Sequence, residues 1–246
     1  MNRRPRTALF ARTFAGGLLV VLTAVGSVAM GNPNPWEFVT VENGVRVTTR
    51  DVVGRSFPEF QGEGVVNANA FHIAAVISDV ARHCEWRPKC KRARIVHRTG
   101  QQELIMYSQS PAPWPVSDRD VLLKASLFFE SSKNQIRSTF KNVRHPKAPP
   151  IDGIVRVPWI RGFYKLKILG PYKTFVTYRV NADPGGLIPA WLAARTSRLL
   201  PLKTIMGLRR QVKRPNRQYH TFRKKWDPRQ QPKSPVTASA KRPSGS

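Results

Sequence analysis

Five histidines, two cysteines and one acid–base–acid triplet are the residues of this 246-residue chain whose types and spacing could do chemistry. His72, His83, His97, His145 and His220 include no pair at a metal-binding spacing such as H-E-x-x-H. The chain also contains no G-x-S-x-G nucleophile elbow and no phosphate-cradling P-loop. Asp118, Arg119 and Asp120 could serve as acid and base. Alternating charges at the head of a strand more readily form a structural ion-pair cluster, and here they can clamp the loop 111–115 to a sheet. Cys84 and Cys90 flank Trp86 and Pro88. Two thiols are too few for a structural zinc site. In an oxidising compartment they can close a disulfide across the turn, and otherwise they remain two thiols. No catalytic residue, metal site or cofactor is assigned.

The elements that must position these residues are mostly strands. Residues 44–53 alternate Val45 and Val47 with Arg46 and Thr48, the period of a half-buried strand. Residues 57–66 supply a second strand. In 68–83, Phe71, Ile73, Ala74, Val76, Ile77 and Val80 give a helix one broad apolar face. From 91 to 180 the pattern is strands at regular spacing: 93–97, 103–108, 119–130, 135–143, 153–169 and 174–180. Asp183-Pro184-Gly185-Gly186 is dense turn chemistry. After it, Ile188, Trp191, Leu192 and Leu199 fall on one helical face. Leu202, Ile205, Met206 and Leu208 continue it beyond Pro201, where a kink or a second helix is expected. Antiparallel strands with one early helix and a long last helix predict an α+β domain.

Charge and termini set the wider organisation. The net charge is +28 with 41% hydrophobic residues, so a real core carries a strongly basic surface. Residues 1–35 hold four arginines and no acid, 214–246 hold nine basic residues and one acid, and 36–213 hold 29 basic and 13 acidic. The folded part is basic in its own right, which suits a polyanion, either nucleic acid or anionic membrane. Residues 1–31 read as a signal peptide or an N-terminal membrane anchor. Arginines precede the apolar run FAGGLLVVLTAVGSVAM at 14–30, and Ser27, Ala29 and Gly31 offer cleavage sites. The mature chain is thus expected in the periplasm or outside the cell, or anchored to the cytoplasmic membrane by 14–30. Residues 32–214 are expected to form one domain, and 215–246 a disordered basic tail with isolated aromatics at Tyr219, Phe222 and Trp226.

Several motifs in register carry a resemblance. Asp183-Pro184-Gly185-Gly186 is followed by Ile188-Pro189-Ala190-Trp191 and then Gly207-Leu208-Arg209. Pro115-Val116-Ser117-Asp118-Arg119-Asp120 heads a central strand, with Gly153-Ile154-Val155-Arg156 downstream and Trp36 and Gly44-Val45 upstream. Together they resemble the START domain, the lipid-transfer domain of the steroidogenic acute regulatory protein family, over about 36–213. The resemblance implies a helix-grip fold, a curved antiparallel sheet closed around a long C-terminal helix with an internal cavity. It also implies a lipid or sterol held inside. Some sterol-binding members place an acid and an arginine where this chain has Met106 and Ala125, so the resemblance gives no support for sterol specificity.

The resulting expectation is a protein that binds, and transfers or senses, one hydrophobic lipid. Strand phase and the resemblance nominate Met106, Tyr107, Leu123, Ala125, Leu127, Val157, Trp159, Tyr178, Trp191 and Arg195 as cavity residues, with Tyr107, Tyr178, Arg156 and Arg195 as polar groups for a headgroup. Trp114, in the stiff loop SPAPWP, and Leu199, Leu202 and Met206 on the last helix are the expected gate or membrane contacts. Asp118, Arg119, Asp120, Asp183, Gly185 and Gly186 are expected to be structural. The expected partners are a lipid ligand and an anionic membrane, with the protein acting as a monomer; nucleic acid is the weaker reading because no recognition motif accompanies the charge. The alternative function is a helix-grip enzyme acting on a hydrophobic or polyketide-like substrate, for which Tyr107, Tyr178 and His97 would be the polar candidates.

Overall fold

In the computed structural model, residues 34–186, 188, 198–227 and 229 are described. Ten strands form one sheet: β1 (Glu37–Glu42), β2 (Val45–Arg50), β3 (Glu59–Val66), β4 (Arg92–Arg98), β5 (Glu103–Ser110), β6 (Arg119–Glu130), β7 (Gln135–Asn142), β8 (Val155–Arg156), β9 (Trp159–Gly170) and β10 (Lys173–Asp183). The order is β1-β2-β3-β10-β9-β7-β6-β5-β4, and every neighbour in that path is antiparallel. The two-residue β8 pairs parallel with the start of β6. The sheet is open and curved, and the fold is a helix-grip α+β domain.

Among the described residues, four α-helices accompany it: α1 (Ala70–Ser78), α2 (His83–Trp86), α3 (Leu200–Gln211) and α4 (Arg217–Trp226). Asn69 starts α1 by accepting a hydrogen bond from the Phe71 amide at 2.9 Å, satisfying one donor that the first turn leaves orphaned. The segment read as one helix over 68–83 is broken at Asp79, after which a single 3₁₀ turn leads into α2. Pro201 lies in the first turn of α3, where its missing N–H breaks no helical bond. Most of the stretch before it lies outside the described residues.

Alternation along the strands decides what each face carries. Tyr164, Leu166 and Ile168 of β9 and Val176, Tyr178 and Val180 of β10 turn inwards, where they meet Phe71 and Val76 of α1 and Leu202, Ile205 and Leu208 of α3. Full burial of each such aliphatic side chain is worth about 1.5–3 kcal/mol. Two glycines set how closely α3 approaches. A Cβ on Gly62 of β3 would sit 2.7 Å from the Pro201 side chain, and one on Gly207 would strike the Trp86 carbonyl oxygen. Arg209 then pins α3 to the sheet edge by donating to the carbonyls of Val65 and Asn43.

The tail needs correcting. Residues 217–226, expected to be disordered, form α4. Asn216 caps it by accepting from the Gln218 amide at 2.9 Å, and Tyr219 is buried against α1. Tyr219, Phe222 and Trp226 recur at steps of three and four, one face of a helix, and that period marks the segment in the sequence. Among the described residues, no helix is long and apolar enough to cross a membrane; residues 14–30 lie outside them.

Candidate functional site

The motif at the head of β6 divides its charges between three tasks. Asp118 accepts from Lys91 Nζ at 2.8 Å, Gln109 Nε2 at 2.9 Å and the Ala112 amide at 3.2 Å, which ties the loop after β5 to the sheet. The lysine beside it and these donors hold its carboxyl below the usual range. Arg119 donates to the carbonyls of Ser117 and Gly185, linking β6 to the glycine turn in which Asp183 accepts from the Gly185 amide at 2.9 Å. Gly185 and Gly186 both have φ of 65°, a conformation glycine adopts without strain. Asp120 is fully buried and pairs with Arg156 of β8, which also donates to the carbonyls of Ala148 and Pro149. Cys84 and Cys90 form a disulfide that closes the turn after α2.

A cavity of about 1030 Å³ lies on the inner side of the sheet. Ile95 of β4, Leu104 and Met106 of β5 and Ala125 and Leu127 of β6 form its floor, and Ile77 and Val80 form one wall. Tyr219, Phe222 and Trp226 of α4 face it from the other side, across from the β4–β5 turn at 99–102. Polar and charged side chains, among them Asp79, Arg98, Glu103, Arg217 and Lys225, line the rest of it. Asp79 accepts from the Tyr219 hydroxyl at 3.1 Å. Glu103 bonds Lys124, Thr99 and Ser126, and these contacts, Lys124 first, hold its carboxyl down at about 2. Burial raises the Tyr219 phenol and lowers the His72 imidazole beneath it, whose ring centroid is 5.3 Å from that of Tyr219.

The expected cavity residues separate into five groups. Met106, Ala125 and Leu127 line the cavity. Leu123 and Val157 are on the same side but are packed into a solid cluster with Val80 and Val121, so they fill core beside the cavity. Tyr178 also points inwards, but it is buried in the core, its ring tilted against Tyr164 at 4.6 Å, and it does not line the cavity. Tyr107 and Trp159 belong to the opposite face. Odd-numbered positions of β5 and β9 point outwards, which places Tyr107 with Leu122 and Ala148 and Trp159 beneath the guanidinium of Arg55 at 3.7 Å. Trp191 and Arg195 lie outside the described residues.

The other polar candidates fall away for similar reasons. Arg156 is spent on Asp120, and His97 stacks on His145 at 5.4 Å on the exposed part of β4. Leu202 and Met206 pack on the core rather than lying free for membrane contact, whereas Leu199 is partly exposed and Trp114 is 92% exposed. The α4 aromatics are the site residues that sequence reasoning missed.

With this geometry in place, comparison with known proteins decides the family. Residues 29–221 match the START domain. The chain belongs to that family. This START domain is 33% identical over 199 residues to an uncharacterized protein of Pseudomonas aeruginosa, covering 78% of this chain and 94% of that one. It is 29% identical to the solved fragment of a STAR-related lipid transfer protein from Xanthomonas axonopodis, with a TM-score of 0.66 over 73% of this chain and 99% of that one. The human StAR-related lipid transfer protein 5 shares its fold, at 21% identity and a TM-score of 0.64 over 72% of this chain and 86% of that one. The last turn of α4, with Trp226, runs beyond the span that matches the START family.

Proposed function

We propose that this START domain binds a single hydrophobic lipid in the cavity between the sheet, α1 and α4, and carries it to or from an anionic membrane on the far side of the cytoplasmic membrane. The observation that carries this reading is the cavity of about 1030 Å³, with an apolar floor of Ile95, Leu104, Met106, Ala125 and Leu127 and a wall of helix aromatics. At about 25 cal/mol per Å² of apolar surface removed from water, acyl chains on this floor supply most of the affinity, and the charged residues Arg98, Arg217 and Lys225 at the lining suit a polar headgroup. Exchange requires the wall to open. The short α4, held by one face of aromatics and the Tyr219–Asp79 hydrogen bond, is the element best placed to move. The exposed Trp114 loop supplies a membrane contact. The test is titration of the full chain with a fluorescent acyl-chain phospholipid. Saturable binding at one lipid per chain, competed by unlabelled lipid, supports the proposal; no saturable uptake contradicts it.

A further inference from the structure

The outer face of the sheet, turned away from the cavity, is built against its own stability. Lys124 of β6 stands directly opposite Lys141 of β7, and Lys141 directly opposite Arg161 of β9, a row of three cations across three neighbouring strands. Two rows along the same ladder, Arg137 stands opposite Lys165. Like charges directly opposite one another destabilise a sheet. Only Lys124 has a carboxylate partner, Glu103 at 2.8 Å; among the described residues, none lies within ion-pair distance of Lys141, Arg161, Arg137 or Lys165. Between the two cation rows lies Phe163, with the guanidinium of Arg137 over its ring at 4.6 Å and that of Arg179 at 5.0 Å. Lys124, Arg137, Lys141 and Arg161 border a groove of about 600 Å³ on this face, which Glu59 and Glu103 also line.

Position and neighbours identify what this face meets. β9 is the middle strand of the nine in the sheet path, so these cations sit near the centre of the outer face. The same face carries Phe128, opposite Arg137 and 47% exposed, and Leu169, 48% exposed beside Lys167; Tyr172 in the following turn is 73% exposed. Cations interspersed with exposed apolar and aromatic side chains suit a lipid headgroup layer, where phosphate oxygens lie above buried acyl chains. A single-stranded nucleic acid would need open aromatic faces for its bases, and the ring of Phe163 is covered by guanidinium groups.

We propose that this outer face is a docking surface for anionic phospholipid membrane, separate from the Trp114 loop, with Lys141, Arg161, Arg137 and Lys165 meeting phosphates and Phe128 and Leu169 entering the headgroup layer. The test is co-sedimentation of the full chain with phosphatidylglycerol vesicles and with phosphatidylcholine vesicles. The key variant combines Lys141→Glu with Lys165→Glu. It turns all three like-charge pairs into opposite-charge pairs, so its melting temperature should hold or rise while partitioning onto phosphatidylglycerol falls by at least about twenty-five-fold, at roughly fivefold per cation removed. A control combining Lys89→Glu with Lys203→Glu, exposed lysines off this face, changes net charge equally and should retain most of the binding. Undiminished vesicle binding by the key variant, or an equal loss in the control, overturns the proposal. So does binding of an oligonucleotide in place of the vesicles. A lowered melting temperature of the key variant would overturn the like-charge premise, and Lys141→Gln with Lys165→Gln would then decide the docking question.

Discussion

The carboxylate of Asp120, without solvent exposure, is held by both Nε and Nη2 of Arg156, the latter at 3.0 Å, and this pair joins β8 to the central strands. Breaking a buried pair by removing one partner leaves an uncompensated charge, which costs about 3–5 kcal/mol. Asp120→Ala is therefore expected to lower unfolding free energy by that order. It should also loosen the 148–149 backbone, whose carbonyls Arg156 holds. Urea denaturation with an unchanged m-value, together with faster amide exchange near Ala148, checks this.

Gly207 has no room for a side chain because α3 crosses directly over the Trp86 carbonyl. Gly207→Ala removes a helix-interior glycine, a gain of about 1 kcal/mol in propensity. The clash is with backbone and cannot be relieved by a rotamer change, and overpacking of this kind costs about 1–3 kcal/mol or more. The net expectation is a loss of stability, read as a lower melting temperature. A rise would show that α3 and α2 are farther apart.

Acid should destabilise the fold in two windows. Burial, with the nearby Arg87 charge, pushes His83 down to about 3, and its Nε2 lies 2.8 Å from the Ile77 carbonyl. Between its ordinary value near 6.5 and 3, the unfolded chain binds a proton that the folded chain refuses. Stability therefore falls as pH drops through that range, by up to about 1.4 kcal/mol per pH unit. His72 shifts in the same direction. Glu85, bonded to Arg82, Gln211 and Arg214, is held down at about 2, so its contribution is lost as pH falls from 4.5 towards 2. His83→Gln should flatten the slope between pH 6 and 4 without removing it, as measured by chemical denaturation across pH.

Cavity and core can be separated by two neighbours on β6. Ala125 lines the cavity, and Ala125→Trp should fill it, cutting lipid uptake at least tenfold in a folded protein. Leu123 is packed core, so Leu123→Ala should cost about 2–5 kcal/mol of stability while the folded fraction still takes up lipid. Lipid titration combined with thermal melts distinguishes the two.

The α4 wall gives a kinetic prediction. Tyr219→Phe keeps the ring but loses the hydrogen bond to Asp79, worth about 1 kcal/mol. If α4 gates the cavity, lipid exchange should speed up about fivefold with little change in melting temperature. An unchanged exchange rate would place the gate elsewhere.

Sequence made the strands legible because alternation is local. Val45 and Val47 mark β2, and the motif ending in Asp120 marks the head of β6. The face of a given residue was less accessible, since a one-residue change of phase turns a side chain from cavity to exterior. Tyr107 and Trp159 face outwards against the sequence expectation for that reason, while Met106, the immediate neighbour of Tyr107, lines the cavity. Core and cavity lining use the same residue types, so Leu123 and Leu127 could not be told apart without packing. The α4 wall was missed because polar, basic composition masked the period of Tyr219, Phe222 and Trp226. The Asp120–Arg156 pair joins residues 36 apart in sequence, and no local pattern announces it.

Lipid occupancy of the cavity is read by native mass spectrometry of the full chain purified without detergent from an expression host, followed by organic extraction. The expected result is a species heavier than the chain by the mass of one lipid, lost on extraction and absent from Ala125→Trp. A bare chain mass from a folded protein that also takes up no added phospholipid would contradict it.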